Sequence, residues 1–334
     1  MQKSSQMMPE TDVLICGAGV MGLSLALELT QRGMRVAVLE QAQRGERAAG
    51  QASWAAAGML AAEDPHNPPA LSELARWSRS LYDAYLQRIE EVSGLQVRYQ
   101  TDRTIQYLQD GASVELAEQS LNPRELMAAL ETAVEKTGID VVRGVQVQRA
   151  ETLAGSVKVI AGSESFAARQ VVFAAGAWFL GEPAVRPRKG QMMRLRLAMD
   201  EVHRSAGVYV VPRRFGEQAG TVLVGATVED AGFDTTVRED ELQQLRRRAA
   251  QMVPAVADAE IVEAWAGLRP ATVDGLPLLG ELEPRQFVAG GHFRNGILLA
   301  PATAKAMADM LEGKPVVEML QRFAPSLVVA QRER

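Results

Sequence analysis

Cysteine is almost missing from this sequence: Cys16 is the single thiol in 334 residues. That excludes an intrachain disulfide framework and a cysteine-rich metal site. Histidine is nearly as scarce. His66, His203 and His292 make no sequence-local ligand pair, so no metal is expected. Basic residues are not in excess, and a net charge of -5 offers no electrostatic footprint for nucleic acid. No apolar stretch is long enough to span a bilayer, so no membrane partner is expected. Met1 to Glu10 lacks the apolar core and basic flank of a signal peptide and reads as a loose tail on a cytoplasmic protein. What is left is an ordinary globular composition, 47% hydrophobic and 23% charged. The length suffices for two domains or for one carrying an insertion.

The organising stretch runs from Ile15 to Gly22. Asp12-Val13-Leu14-Ile15 is a short apolar run that reads as a buried strand. Leu23, Ala26, Leu27 and Thr30 follow at helical spacing until Gly33. Gly17, Gly19 and Gly22 therefore fall on a strand-to-helix turn in the G-x-G-x-x-G arrangement. One glycine makes the turn, one admits a pyrophosphate against backbone amides, and one lets helix and strand pack closely. The helix N-terminus adds free N–H groups and the positive end of its dipole. A second apolar run, Val36 to Leu39, ends on Glu40, where an acidic side chain would hold a ribose. A dinucleotide is expected here, and this stretch leaves NAD and FAD both open.

Further on, Gln51 to Leu60 is rich in alanine and admits two readings, a helix start or backbone lying flat on a ligand. A helix is predicted over 70–91, with Leu71, Leu74, Leu81, Tyr85 and Ile89 on one side. Short alternating runs near 95–99 and 104–108 precede a helix that starts at Asn122-Pro123 and stops at Gly138. Runs at 141–147 and 157–160 suggest a small antiparallel excursion. Val171 to Ala174 is another buried strand, closed by small residues around Gly176. After Pro187, runs at 191–197, 207–211 and 221–227 alternate as an antiparallel sheet does. A charged helix over 238–252, strands at 261–265 and 286–289, and a helix through Ala302 to Leu311 complete the chain. A second Gly-rich turn, Gly290 to Gly296, aims that last helix's N-terminus at the same ligand.

Several of these segments carry a resemblance: Gly17 to Gly22, Ser53 to Leu60, Pro187 to Gln191, Tyr209 to Arg213, Val224 to Thr227, Trp265 to Pro270 and Gly291 to Leu298. Together they are similar to the glycine oxidase branch (thiazole-pathway type) of the D-amino-acid oxidase family of FAD flavoproteins. The fold class implied is α/β, a Rossmann-like FAD-binding domain with an inserted α+β substrate domain built on an antiparallel sheet. The FAD-binding domain would be discontinuous, over 9–62, 121–185 and 261–334, with the substrate domain over 63–120 and 186–260. The activity implied is oxidative deamination of glycine, and of small amines or D-amino acids such as sarcosine. Its products would be an imine or 2-oxo acid, ammonia and hydrogen peroxide. Supply of the glycine imine to thiamine thiazole synthesis is one implied use.

The same resemblance implies non-covalent FAD, a small amino-acid substrate and oxygen as partners, with homo-oligomerisation left open. Gly17, Gly19, Val20, Met21 and Gly22 would line the FAD phosphates, and Glu40 would hold the adenosine ribose. Gln41, Ala52, Ser53, Ala57, Gly58, Met59 and Gly176 would lie along the cofactor. Val145 would bond the adenine edge through its backbone. His292, Phe293, Arg294, Asn295, Gly296, Ile297 and Leu298 would cradle the flavin ring, His292 through its backbone rather than as a base. Arg269 would pair with the substrate carboxylate, helped by Tyr209, and Arg294 would lie beside the substrate. Two departures stand out. The chain is shorter than its relatives between about Val92 and Asn122, and Gly207 stands where some relatives place a histidine. The second points to a changed substrate preference, not a changed chemistry. A sarcosine or D-amino-acid oxidase, an NAD-dependent dehydrogenase and a non-catalytic FAD-binding protein remain open alternatives.

Overall fold

The computed structural model describes residues 11–46, 49–179, 181 and 185–325; the tail Met1 to Glu10 lies outside the described residues. β1 (Val13–Cys16), α1 (Val20–Gln31) and β2 (Val36–Glu40) open the chain as a β-α-β unit. Every residue of β1 is apolar and buried, as a central parallel strand requires. α2 (Ala52–Ala55) is a single turn, followed by α3 (Ser72–Ser80), α4 (Tyr82–Ser93), β3 (Tyr99–Thr101), β4 (Thr104–Tyr107), β5 (Ser113–Leu116) and β6 (Ser120–Leu121). α5 (Pro123–Lys136) starts on Asn122, whose side chain accepts the Arg124 N–H at 3.1 Å. That is the cap-then-proline start the sequence signals. Next come β7 (Asp140–Arg143), β8 (Arg149–Leu153), β9 (Ser156–Ala161), β10 (Glu164–Ala168) and β11 (Gln170–Phe173). The antiparallel half holds β12 (Arg186–Arg196), β13 (Val202–Ser205), β14 (Val208–Arg213), β15 (Thr221–Gly225), α6 (Glu239–Met252) and β16 (Ile261–Ala271). β17 (Leu278–Glu283), β18 (Gln286–Gly290), α7 (Gly296–Leu311) and α8 (Glu318–Gln321) finish it.

Among the described residues, one sheet has six strands in the order β17-β18-β11-β1-β2-β7, parallel except for β17. A second has seven, β16-β12-β15-β14-β13-β4-β5, antiparallel except where β13 meets β4. Apolar residues of α1, α3, α4, α5 and α7 form one continuous core on the first sheet, and β8 to β10 pack on its other face. α6 covers one face of the second sheet. The opposite face, through Met192, Val211, Leu223 and Trp265, packs on the α2 segment. The fold is thus α/β, a Rossmann-like half joined to an antiparallel-sheet half.

Four placements differ from the sequence expectation. The helix predicted over 70–91 is two helices, because the Leu81 N–H donates to Ser78 O at 3.1 Å and closes a tight turn. Those helices, expected with 63–120 in the substrate part, pack instead in the core of the first sheet; only β4 and β5 of that stretch join the second. Val141 lies in β7, a parallel edge strand beside β2, and the antiparallel excursion begins only with β8. Finally, 261–271 was expected with the FAD-binding part, yet β16 pairs along its length with β12 in the second sheet. A single 11-residue strand has no local signal that says which sheet it will join.

α7 contains Pro301, which the sequence reading did not weigh. A proline has no N–H to offer the carbonyl four residues back. Tyr82 Oη donates to that carbonyl, Ile297 O, in its place. Ser78 Oγ donates to Leu298 O at 2.7 Å and accepts the Ala302 N–H at 3.2 Å. These bonds fix α3 and α4 against the N-terminal turn of α7. Tyr82→Phe keeps the packing but orphans a buried carbonyl, which should cost about 1–3 kcal/mol. The expected result is a lower melting temperature by calorimetry with the fold retained, and an unchanged value would refute this role for Tyr82.

Candidate active site

Where β1, β2 and β11 end, the chain leaves a cavity of about 440 Å³ lined by Cys16, Leu39, Glu40 and Ala174 on this side. Ligands bind at the carboxyl ends of parallel strands for this reason: the crevice opens where the connections diverge. Gly22 does not line the cavity. A Cβ on it would lie 1.8 Å from Gly17 O, so its role is the close packing of α1 on the turn. Gly17, Gly19, Val20 and Met21 do line it. Glu40 holds the turn, Oε2 accepting the Ala18 N–H at 2.7 Å and Oε1 accepting the Ala42 N–H at 2.9 Å. A carboxylate has about four lone-pair sites, so capacity remains for a ribose. Val145 is also at this end, but its N–H donates to Glu40 O at 2.9 Å, so its carbonyl is the backbone group left without a partner among the described residues.

The alanine-rich segment satisfies both of its readings. It makes the one-turn α2 and then extends along the cavity through Ala57, Gly58 and Met59, with Gln41, Ala52, Ser53 and Gly176 nearby in the wall. Side-chain bulk would push any ligand away, which is why small residues are needed there. Ser53 Oγ accepts the Val20 N–H at 3.1 Å, at the N-terminus of α1. The back of the strip is pinned to the second sheet: Trp265 Nε1 donates to Ala55 O at 3.1 Å. Arg124, which the sequence reading passed over, stacks 3.6 Å from the Trp54 ring centroid and makes two 2.9 Å bonds to Glu263.

At the other end the lining becomes polar. Arg269, on β16, lines the cavity, and its Nη1 donates to Thr227 O at 3.0 Å. No carboxylate pairs with it among the described residues. Gly190 on the neighbouring strand leaves the room, since a Cβ there would lie 2.2 Å from Nη1. Burial depresses the Arg269 pKa and raises that of Tyr209 beside it. Arg294 is exposed at the rim and donates to His66 O at 3.1 Å. Asp64 lies there too, 3.0 Å from His66 Nδ1 and 3.8 Å from the buried Arg204. Burial pushes its carboxyl up, but Arg204 and the bonds from His66 prevail and hold it below the usual range. Sequence reading missed Asp64 and Arg204 because they come from a loop and a strand with no motif of their own.

The Gly290 to Gly296 turn does face the cavity, with Phe293, Asn295, Gly296 and Ile297 in its lining. His292 turns its ring into the core, Nε2 lying 3.1 Å from Thr303 Oγ1, and burial pushes its pKa down to about 3. Leu298 does not reach the cavity. It is buried, with its carbonyl held by Ser78. Gly207 also lines this end. The lining as a whole fits a flavin dinucleotide. It is long, and it carries an acid at the ribose end and small residues along its middle. A helix N-terminus faces its far part.

The family model for FAD dependent oxidoreductases (DAO) matches residues 12–121 and 108–310. Glycine oxidase of Pseudomonas aeruginosa is 31% identical, covering 94% of this chain and 98% of its own length. The bifunctional protein ThiO/ThiG of a Nostoc species is 33% identical over 93% of this chain and 54% of its own. The crystal structure of glycine oxidase from Geobacillus kaustophilus matches with a TM-score of 0.86 at 30% identity, covering 95% of this chain and 98% of that one. The alignment with the Pseudomonas protein runs to 367 positions against a chain of 334, and the two stretches of the family match overlap at 108–121. Both features fit the shortened stretch between 92 and 122. With the family matched over most of its length, and relatives above 30% identity along nearly all of it, the chain belongs to the DAO family of FAD dependent oxidoreductases.

Proposed function

We propose that the protein oxidises glycine, together with small amines or D-amino acids such as sarcosine. The products are an imine or 2-oxo acid, ammonia and hydrogen peroxide. The observation that carries this reading is Arg269, a guanidinium with no carboxylate partner among the described residues, set in the cavity wall beside Tyr209. Its planar fork can donate two parallel bonds to a carboxylate. Bound FAD would supply the acceptor for the hydride lost from the substrate α-carbon, with oxygen as the final oxidant.

The chain's own residues bind and orient. Arg269 holds the carboxylate, Tyr209 closes one wall, and Arg294 lies at the rim. His292 has its ring against Thr303 and cannot serve as a base. An amine that reacts unprotonated needs none. The N-terminus of α7, with Gly296 and Ile297 in the wall, would favour negative charge on the reduced cofactor. Non-covalent FAD is supported by Cys16, whose thiol burial pushes up to about 12, leaving no thiolate for a tether. Among the described residues, no helix is long and apolar enough to cross a membrane. A cytoplasmic setting fits a chain with one buried thiol. The likeness to the ThiO/ThiG protein supports supply of the imine to thiazole synthesis.

The experiment is anaerobic addition of glycine to the purified yellow protein. Bleaching of the flavin is expected, and an unbleached spectrum would sink the reading in favour of a non-catalytic flavoprotein. Because the 92–122 stretch is short, sarcosine and small D-amino acids should compete well with glycine. An assay in which glycine alone releases peroxide at millimolar concentrations would reject that part.

A further inference from the structure

On β14, alternate residues Tyr209, Val211 and Arg213 share one face of the strand, the face turned toward the α2 segment. Arg213 is buried behind that segment. Its Nη2 donates to Ala57 O at 2.8 Å and its Nη1 to Pro212 O at 3.4 Å, while Nε has no hydrogen-bond partner among the described residues. No carboxylate lies within ion-pair distance of it among the described residues. Burial, only partly offset by Glu125 on α5, pulls its pKa down to about 9, so it stays charged at neutral pH. A buried guanidinium with only carbonyls for partners is costly, and such a charge calls for something else to answer it.

Ala57 and Gly58 both line the cavity. In a trans peptide the C=O and the following N–H point in opposite directions. Holding Ala57 C=O against Arg213 therefore leaves the Gly58 N–H on the other side of the strip. Among the described residues that N–H has no protein acceptor. A flavin gains negative charge on reduction, and this strip is where the chain offers it an amide.

We propose that Arg213 is a positioning residue for the flavin: it fixes the Ala57–Gly58 peptide so that its N–H is free for the ring, and it sets a positive charge behind that peptide which favours the reduced cofactor. The inference rests on FAD binding and not on which amine is oxidised.

The test uses the FAD-loaded full chain and two readouts, the midpoint potential by equilibration with redox dyes and the affinity for sulfite. Sulfite adds to oxidised flavin and leaves it negatively charged, so it reports the same field. In Arg213→Met the two-electron reduction equilibrium should fall roughly tenfold, which is about 30 mV. The sulfite dissociation constant should rise by a similar factor, and Arg213→Lys should restore most of both. Glu125→Gln keeps Arg213 and can still accept the bond from Asn122 Nδ2, 3.0 Å away in the parent. It removes the opposing charge, so its potential should move up. A folded, loaded Arg213→Met with unchanged potential and sulfite affinity overturns the proposal. If that variant does not load FAD, a Glu125→Gln potential that fails to rise overturns it instead. Neither readout uses an amine, so both remain decisive even in a protein that ignores glycine.

Discussion

Arg269→Ala should lower kcat/KM for glycine by roughly thirty- to several-thousand-fold, the range of about 2–5 kcal/mol for removing one partner of a desolvated charge pair. Arg269→Lys keeps the charge and loses the fork, so the fall should be smaller, roughly ten- to a hundredfold, carried mainly by KM if carboxylate binding is uniform. FAD content should hold in both, because the bonds that Arg269 makes go to Thr227 and Lys189 and not to the strip or the phosphate turn. A simple amine without a carboxylate should lose far less activity than glycine does. Unchanged KM in Arg269→Ala, or loss of its FAD, would transfer the assignment to Arg294.

The second large effect belongs to a residue that does not line the cavity. Gly22→Ala places a methyl 1.8 Å from Gly17 O, a backbone atom that cannot swing aside. Overpacking of this kind costs about 1–3 kcal/mol and occasionally more. The protein should come out colourless, with a lower melting temperature even before FAD is offered. Gly19→Ala makes the contrast. A Cβ there meets only Ser53 Oγ at 3.4 Å, yet Gly19 lines the cavity. That variant should fold normally and bind FAD less tightly. Equal melting temperatures for the two apoproteins would show that Gly22 is not a packing residue.

How much of this was legible in advance varied with the length scale of the signal. The phosphate turn was legible because strand, glycines, helix and Glu40 sit within 28 residues and each constrains the next. Asn122-Pro123 was legible because a helix cap is a local bond. What sequence could not assign was partnership between distant segments. β16 reads as an apolar strand in either sheet, and its pairing with β12 is settled by packing across the chain. Helices α3 and α4 were amphipathic on paper, but nothing local said that their polar side chains would serve the carbonyls around Pro301. Leu298 was carried with its motif neighbours, although α7 turns it inward. Arg213 did have a signal: strand alternation places it on the same side as Tyr209, in a motif already singled out.

The cavity draws its walls from segments as far apart as Gly17, Met59, Val145, Tyr209, Arg269 and Gly296, contributed by both sheets. A ligand seated among them is bound only by the folded chain, so its concentration enters the unfolding equilibrium by mass action. At a hundred times its dissociation constant it adds about 2.7 kcal/mol, and each further tenfold adds about 1.4 kcal/mol. The lifetime of this protein in a cell should therefore follow the supply of flavin as well as the quality of its own packing.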